Sequence, residues 1–379
     1  MDKPVTERQP TTDKISGNRV SDWLNRNAGN VFILPSVVIV LLLSIFPLII
    51  SAYLAVTRVK FVKGGFDITF VGLKNFSKLL NGSEKRHFRG DLGVLSAYQW
   101  VVVGVVALLL AYALWRYVRS GNAKPGGIIY RVITCGILSW GVYFVMQNVS
   151  PEGRPGTIVV TLIYVFVGLF LQYFIGLGLA LLTTQNLPGK RFFRVVFLLP
   201  MMITPVGIGY TFRMMTDTGK GPFQPLWAAF GLQNFSWVSD PWGARWAVII
   251  TDTWQWTPFV FIILLAAIEG LPNELFEAAH VDGASKWQIF WNITLPQIIQ
   301  VSAKVILIRM IEAFKIVDLP NILTFGGPGT ATESLTLHSF FAWRTLDVGA
   351  SAAIAYALMF LSLFVCITYV NLVYQKLVR

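Results

Sequence analysis

Apolar residues in this chain come in eight long runs, near 31–57, 94–118, 127–149, 157–184, 193–216, 246–270, 298–319 and 350–376, with polar stretches between them. A helix needs about 20 predominantly apolar residues to cross a hydrocarbon core. The pattern therefore predicts an all-α polytopic membrane protein with about eight transmembrane helices. Prolines fall inside several runs: Pro35 and Pro47 in the first, Pro200 and Pro205 in the fifth, Pro258 in the sixth. Such interruptions are tolerated where neighbouring helices re-satisfy the backbone, and broken helices in transporters often line a pathway.

One polar stretch, Glu277–Pro296, is patterned as folded structure: EAAHVDGASKWQIFWNITLP. Pro272 is placed to open a helix with Leu275, Phe276 and Ala279 at helical spacing, and Gly283 breaks it. A second helical piece is expected from about Ser285, with Trp287, Phe290 and Trp291 on one face, and Pro296 is expected to mark entry to the next span. Ala278, Ala279, Gly283 and Ala284 are small enough for a partner's backbone to approach, while Glu277 and Asp282 add charge beside the turn.

The spaced pattern E-A-A-x-x-D-G-A, five residues, then F-x-x-I-x-L-P resembles the EAA loop of binding-protein-dependent ABC importer permeases, with every fixed position present. In that family the loop is a cytoplasmic coupling helix seated in a cleft of the ATP-hydrolysing subunit. The resemblance implies a type I ABC importer permease fold and a coupling loop at 273–296. Its contacts with the ATPase would come from Glu277, Ala278, Ala279, Asp282, Gly283 and Ala284. It also implies the partners: two ATP-binding subunits that hold ATP and magnesium, an extracytoplasmic solute-binding protein, and a second, different permease subunit. No G-x-x-x-x-G-K-[ST] phosphate loop occurs in this chain, so energy must come from such a partner. The chain is expected to be a transport subunit, not an enzyme, with no catalytic residues and no cofactor of its own.

Two further segments, FVGLKNF at Phe70–Phe76 and LTFGGPGTATESL at Leu323–Leu335, resemble the carbohydrate-uptake branch of the family, as does the outer-loop sequence SWVSDPWGARWA. The resulting organisation is a cytoplasmic tail at 1–30, a first transmembrane helix at 31–57, an extracytoplasmic loop at 58–93 and a core permease domain at 157–376. Residues 94–149 have no counterpart in typical relatives. They read as an inserted transmembrane hairpin around the turn RSGNAKPGG, expected to be lipid-facing, with a docking surface for an extra subunit as the alternative.

Candidate substrate contacts lie in DTWQWTPFVFIILLAAIEGLP, where Asp252, Gln255 and Trp256 precede Pro258. Aromatic faces cover the apolar faces of sugars, and amides and carboxylates take their hydroxyls. In maltose-type relatives the matching region contributes to the sugar site, so Gln255, Trp256 and Phe259 are the candidates; the alternative places the tryptophans in an interfacial belt. The seventh run carries Lys304, Arg309, Glu312, Lys315 and Asp318, too many charges for a lipid-facing helix. Glu312 is spaced to pair with Lys315 or with Arg309, and Glu312 and Lys315 are expected along the lining of the pathway. A neutral di- or oligosaccharide is the expected substrate, and an anionic sugar or a glycerol phosphate is the alternative.

Composition adds limits. Of 379 residues, 55% are hydrophobic and 13% charged, and the mean hydropathy is +0.61. The net charge of +12 is spread through tails and loops, which fits membrane flanks and not nucleic-acid binding. Lys3, Arg8, Lys14, Arg19 and Arg26 favour a cytoplasmic N-terminus, and an even number of spans then places both termini in the cytoplasm of a bacterial or archaeal inner membrane. The basic loop at 58–93 opposes this orientation, which rests on the coupling loop facing the ATPase. Cys135 and Cys366 fall inside spans, and His87, His280 and His338 are expected to be isolated, so no metal site is expected. A secondary transporter would also be polytopic but would not need the coupling loop; a non-transporting scaffold would need neither broken helices nor charges in the seventh run.

Overall fold

The computed structural model describes residue 29 and residues 32–119, 125–185, 188–232 and 235–374. The basic tail from Lys3 to Arg26, the tip of the turn at 120–124 and the last five positions lie outside the described residues. Among those described, seven helices are long and apolar enough to cross a membrane, and a bent pair makes an eighth if counted as one span.

The first of them, α1 (Phe32–Ala55), contains a π-helical turn at Leu41–Ile45, two residues before Pro47. Proline lacks an N–H and its ring collides with the carbonyl four residues back. Widening the preceding turn, so that Phe46 N–H donates to Leu41 O, relieves the collision without stopping the helix. The chain divides at Leu54/Ala55, and α1 up to that point is a unit of its own.

From Ala55 onward the chain forms the second unit. The polar stretch at 58–93 is built, not open: an antiparallel hairpin of β1 (Thr57–Val62) and β2 (Gly65–Phe70) is followed by α2 (Lys74–Leu80) and α3 (Lys85–Arg89). Buried Asn75 on α2 donates to the carbonyls of Ala55 and Thr57, at 2.9 Å each, closing the hairpin onto the helix. These small β elements sit within a mostly helical fold, in keeping with the expected all-α class. A second bridge pairs β3 (Gly90–Asp91) with β4 (Arg154–Pro155), so α4 (Ala97–Arg119) and α5 (Pro125–Val149) leave and rejoin the chain at one point. Gln99 Nε2 donates to Met146 O at 3.1 Å across the base of that helical hairpin. Its first helix exposes Val101, Val105, Leu108 and Leu109 along one side.

The core is set by α6 (Thr157–Thr184) and α10 (Pro241–Glu269), which run parallel. Val160 packs with Val248 and Ile249 near their starts, and Leu177 and Ala180 with Leu264, Leu265 and Ile268 near their ends. Gly176 permits the approach: a Cβ there would stand 2.9 Å from Val260 Cγ1 and 3.1 Å from the Phe261 backbone nitrogen. The long helix α12 (Lys286–Ala313) runs the opposite way, its Ile298 beside Leu177 and its Met310 beside Val165 and Leu169.

Span boundaries differ from the apolar runs for local reasons. The run at 193–216 is two helices, α7 (Lys190–Met202) and α8 (Pro205–Met215), bent by 98°. Thr204 caps α8 by accepting from Gly207 N–H and Pro205 occupies the first turn, whereas Pro200 is absorbed inside α7. After the short α9 (Gln224–Ala229), α10 starts at Pro241 and not at 246, because Asp240 is an N-cap that accepts from Gly243 N–H. It passes through Pro258 unbroken, which corrects the expected break beside Gln255 and Trp256. The seventh run likewise starts early. A π turn at Phe290–Thr294, again two residues before a proline, carries the helix from Lys286 through Pro296 without a stop. It ends at Ala313, leaving Lys315 and Asp318 beyond it.

The end of the bundle where α6 begins is capped by α13 (Asp318–Thr324), the FGGPG turn and α14 (Leu335–Arg344), which leads into α15 (Val348–Tyr374). Side chains from the core pin this cap. Tyr164 OH donates to Thr332 O at 3.0 Å, Arg245 Nε to Ala331 O at 2.7 Å, and Thr161 Oγ1 accepts from Leu335 N–H at 2.9 Å. Two of the three histidines meet here, contrary to the expectation that they stand alone. The rings of His87 and His338 stack with centroids 3.9 Å apart, and Glu84 and Glu333 flank them. Burial and the neighbouring His87 push the His338 pKa down to about 3, so its ring is neutral. For His87 burial works downward, but the Glu333 and Glu84 carboxylates outweigh it and the net shift is upward.

Candidate functional site

At the opposite end of the bundle, α11 (Asn273–Val281) and the start of α12 form a helix, a turn and a helix. The turn is a Schellman closure: Gly283 N–H donates to His280 O at 3.1 Å and Ala284 N–H to Ala279 O at 2.9 Å, with Gly283 at φ +74°. Ser285 then starts α12 with a capping box, its Oγ accepting from Gln288 N–H while Gln288 Oε1 accepts from Ser285 N–H. Glu277, Ala278, Asp282 and Gly283 are exposed and Ala284 is half-buried, but Ala279 is turned into the chain and is not available to a partner. Val281 and Trp287 stand out on either side of the turn, 88% and 70% exposed. Arg194 braces this end, pairing with Glu269 at the close of α10 and donating to Thr183 O at 3.0 Å on α6.

Halfway along the bundle a buried polar network joins three helices. Arg309 on α12 donates from Nε to Gln172 Oε1 at 2.7 Å and from Nη2 to Asp252 Oδ2 at 2.6 Å. Gln172 Nε2 completes the triangle by donating to the same Asp252 oxygen at 2.8 Å. The guanidinium also lies over the Trp256 ring, 4.8 Å from its centroid. Its charge is thus met by a carboxylate, an amide oxygen and an aromatic face, as an ionisable group at membrane depth requires.

The structure sorts the substrate candidates into two groups. Gln255 is buried, and Trp256 and Phe259 are half-buried, with their rings in an edge contact 6.3 Å apart. Trp256 therefore ties the aromatic pair to the buried network. Glu312 and Lys315 do pair with each other, at 2.7 Å, but both are exposed beside the cap. Arg309 takes Asp252 and not Glu312 as its carboxylate partner. Gln172 is the member that sequence reasoning missed. It is the one amide in the run VGLFLQYFIGL, and a polar side chain amid apolar helix is the signal that marks it.

Comparison with known proteins follows this geometry. Residues 172–379 match the family described as "Binding-protein-dependent transport system inner membrane component". The chain is similar to the trehalose/maltose transport system permease protein MalF of Thermococcus litoralis, 33% identical over 220 residues that cover 58% of this chain and 73% of the relative. The sulfoquinovosyl glycerol transport system permease protein SmoG of Agrobacterium fabrum is 31% identical over 231 residues, covering 59% and 72%. Among solved structures, a bacterial ABC transporter involved in the import of the acidic polysaccharide alginate superposes with a TM-score of 0.65 at 16% identity, over 96% of this chain and 100% of that one. This last likeness is one of fold. More than half of the chain lies within the family match, and the chain belongs to that family: it is a membrane-spanning permease component of a binding-protein-dependent ABC importer.

Proposed function

We propose that the chain carries a neutral di- or oligosaccharide across the membrane, driven by ATPase subunits that dock on the α11–α12 turn. The observation that carries the substrate reading is the closed charge balance of the Gln172–Asp252–Arg309 network beneath Trp256. Arg309 is spent on Asp252, so the half-buried Trp256–Phe259 pair presents aromatic surface without a free cation. Aromatic surface suits the apolar faces of a sugar. An anionic sugar would need an uncompensated cation beside this pair, and Lys304 lies on the opposite side of α12 from Arg309, which covers Trp256. The relatives' names point to sugars and sugar derivatives, neutral in trehalose and maltose and anionic in sulfoquinovosyl glycerol, so they support the sugar class and not its charge.

In a reconstituted importer, Trp256→Ala and Gln255→Ala should each lower sugar-dependent transport about tenfold, the equivalent of one lost contact of ~1.4 kcal/mol. Trp256→Phe should retain most of it, and basal ATP hydrolysis should not change. Wild-type transport in Trp256→Ala, or a delivering binding protein that accepts only acidic sugars, would overturn the assignment.

Assembly and orientation belong to the same proposal. Lys304, Ile308 and Ile311 are exposed on one side of α12, opposite the buried Ser302, Val305 and Arg309. A lysine in the middle of a span needs water or protein beside it, which supports a second permease subunit on this face. With the coupling turn in the cytoplasm against two ATPases that hold ATP and magnesium, the cap and the stretch 58–93 face outward, toward the binding protein. Impermeant thiol reagents applied from outside should then label a cysteine at Ser83 and not one at Ser285; both positions are exposed. The reverse labelling would invert the topology.

A further inference from the structure

We propose that Glu84, His87 and His338 form a zinc site at the capped end of the bundle, independent of the substrate assignment. One ligand atom from each residue lies within 4.8 Å of the other two. Both histidines face the same carboxylate oxygen: Glu84 Oε2 is 3.4 Å from His87 Nδ1 and 3.9 Å from His338 Nε2. Tetrahedral zinc, with bonds of about 2.0–2.1 Å, holds its ligands roughly 3.4 Å apart. Closing on an ion requires the two rings, stacked with centroids 3.9 Å apart, to splay to about 5 Å so that both lone pairs converge, while Glu84 Oε2 moves slightly closer to His338.

The remaining ring nitrogens each have an oxygen nearby, although the contact of His87 Nε2 lacks hydrogen-bond alignment. His87 Nε2 is 2.9 Å from Glu333 Oε2, and His338 Nδ1 is 3.4 Å from Thr157 Oγ1. With these oxygens on their outer sides, His87 Nδ1 and His338 Nε2 are the nitrogens left toward the ion. Glu333 supplies a second, independent sign of a missing cation. It is 3% exposed, and its Oε1 has no hydrogen-bond partner among the described residues. His87 is its ion-pair partner among the described residues, and a divalent ion next to His87 adds to that compensation of a buried charge.

A cavity of about 250 Å³ opens onto all three ligands and is lined further by Ser83, Thr345 and Asp347. It provides a path for entry and room for water at the fourth position. Two imidazoles, one carboxylate and an open position are a ligand set suited to zinc. The ligands come from α3 and the residue before it, and from α14, segments far apart in the chain. Zinc would therefore clamp the stretch after the β1–β2 hairpin onto the cap.

The test uses the untagged full-length chain in detergent, stripped with EDTA and titrated with Zn²⁺ by calorimetry and thermal unfolding. One Zn²⁺ per chain should bind with micromolar or tighter Kd and raise the Tm. Glu84→Gln, at a partly exposed position that leaves the fold intact, should keep the metal-free Tm and lose at least tenfold in affinity. Glu333→Gln, which touches only the outer side of His87, should lose about 10–100-fold. Absence of saturable Zn²⁺ binding to the wild-type chain, or undiminished binding in Glu84→Gln, overturns the site.

Discussion

Gly283→Trp should abolish transport-linked ATP hydrolysis in the assembled importer while leaving membrane insertion intact. At φ +74° Gly283 occupies the left-handed region, where a side chain costs roughly 1–2 kcal/mol. That strain falls on the two bonds that close the turn, from Gly283 to His280 and from Ala284 to Ala279. Nothing in the chain itself lies within 4 Å of a Cβ at this position. The indole would therefore project from the surface flanked by Val281 and Trp287, where the proposal seats the ATPase. Gly283→Ala separates the two effects, since it adds the strain without the bulk and should retain part of the stimulated rate. Wild-type stimulation of hydrolysis in Gly283→Trp would remove the coupling role from this turn.

Arg309→Met should destabilise the chain by about 3–5 kcal/mol, the usual cost of stranding a buried charge. The side chains of Arg309 and Asp252 are only 2% and 7% exposed, and Gln172 alone remains to satisfy the carboxylate. Because the penalty lies in the orphaned Asp252, the double variant Arg309→Met with Asp252→Asn should recover most of the loss. Thermal unfolding of the purified chain reads both. A double variant no more stable than the single one would show that Asp252 is not the stranded group, and that Arg309 matters through Trp256 instead.

These two sites differ in how far the sequence reveals them. The α11–α12 turn is written in contiguous residues: a glycine where the helix must reverse, and a serine with a glutamine three positions on to start the next helix. Span number was legible for a similar reason, since each apolar run is long enough to declare itself. The buried network was not, because Arg309 finds Gln172 and Asp252 on other helices, 137 and 57 positions away. Spacing along the helix offers Glu312 as partner, yet Arg309 faces inward with Ser302 and Val305, while Glu312 sits on the exposed side with Lys304 and Ile308. His87 and His338 were missed on the same ground. Span ends differ from the apolar runs where a local device overrides hydropathy: the Asp240–Pro241 cap lengthens α10, and the π turn before Pro296 joins the helix that starts at Lys286 to its span.

That π turn makes Lys286–Ala313 one uninterrupted rod. One end lies in the exposed turn, where the proposal seats the ATPase, and its far part carries Arg309, some 35 Å away at about 1.5 Å per residue. The rod is a lever: a tilt of about 10° at Ser285 sweeps Arg309 through roughly 6 Å over that length. Such a stroke exceeds the reach of the hydrogen bonds to Gln172 and Asp252. Motion at the surface turn and integrity of the buried triangle are thus mechanically exclusive unless α6 and α10 travel with the lever, and the Arg194 brace ties those two helices to each other at the same end.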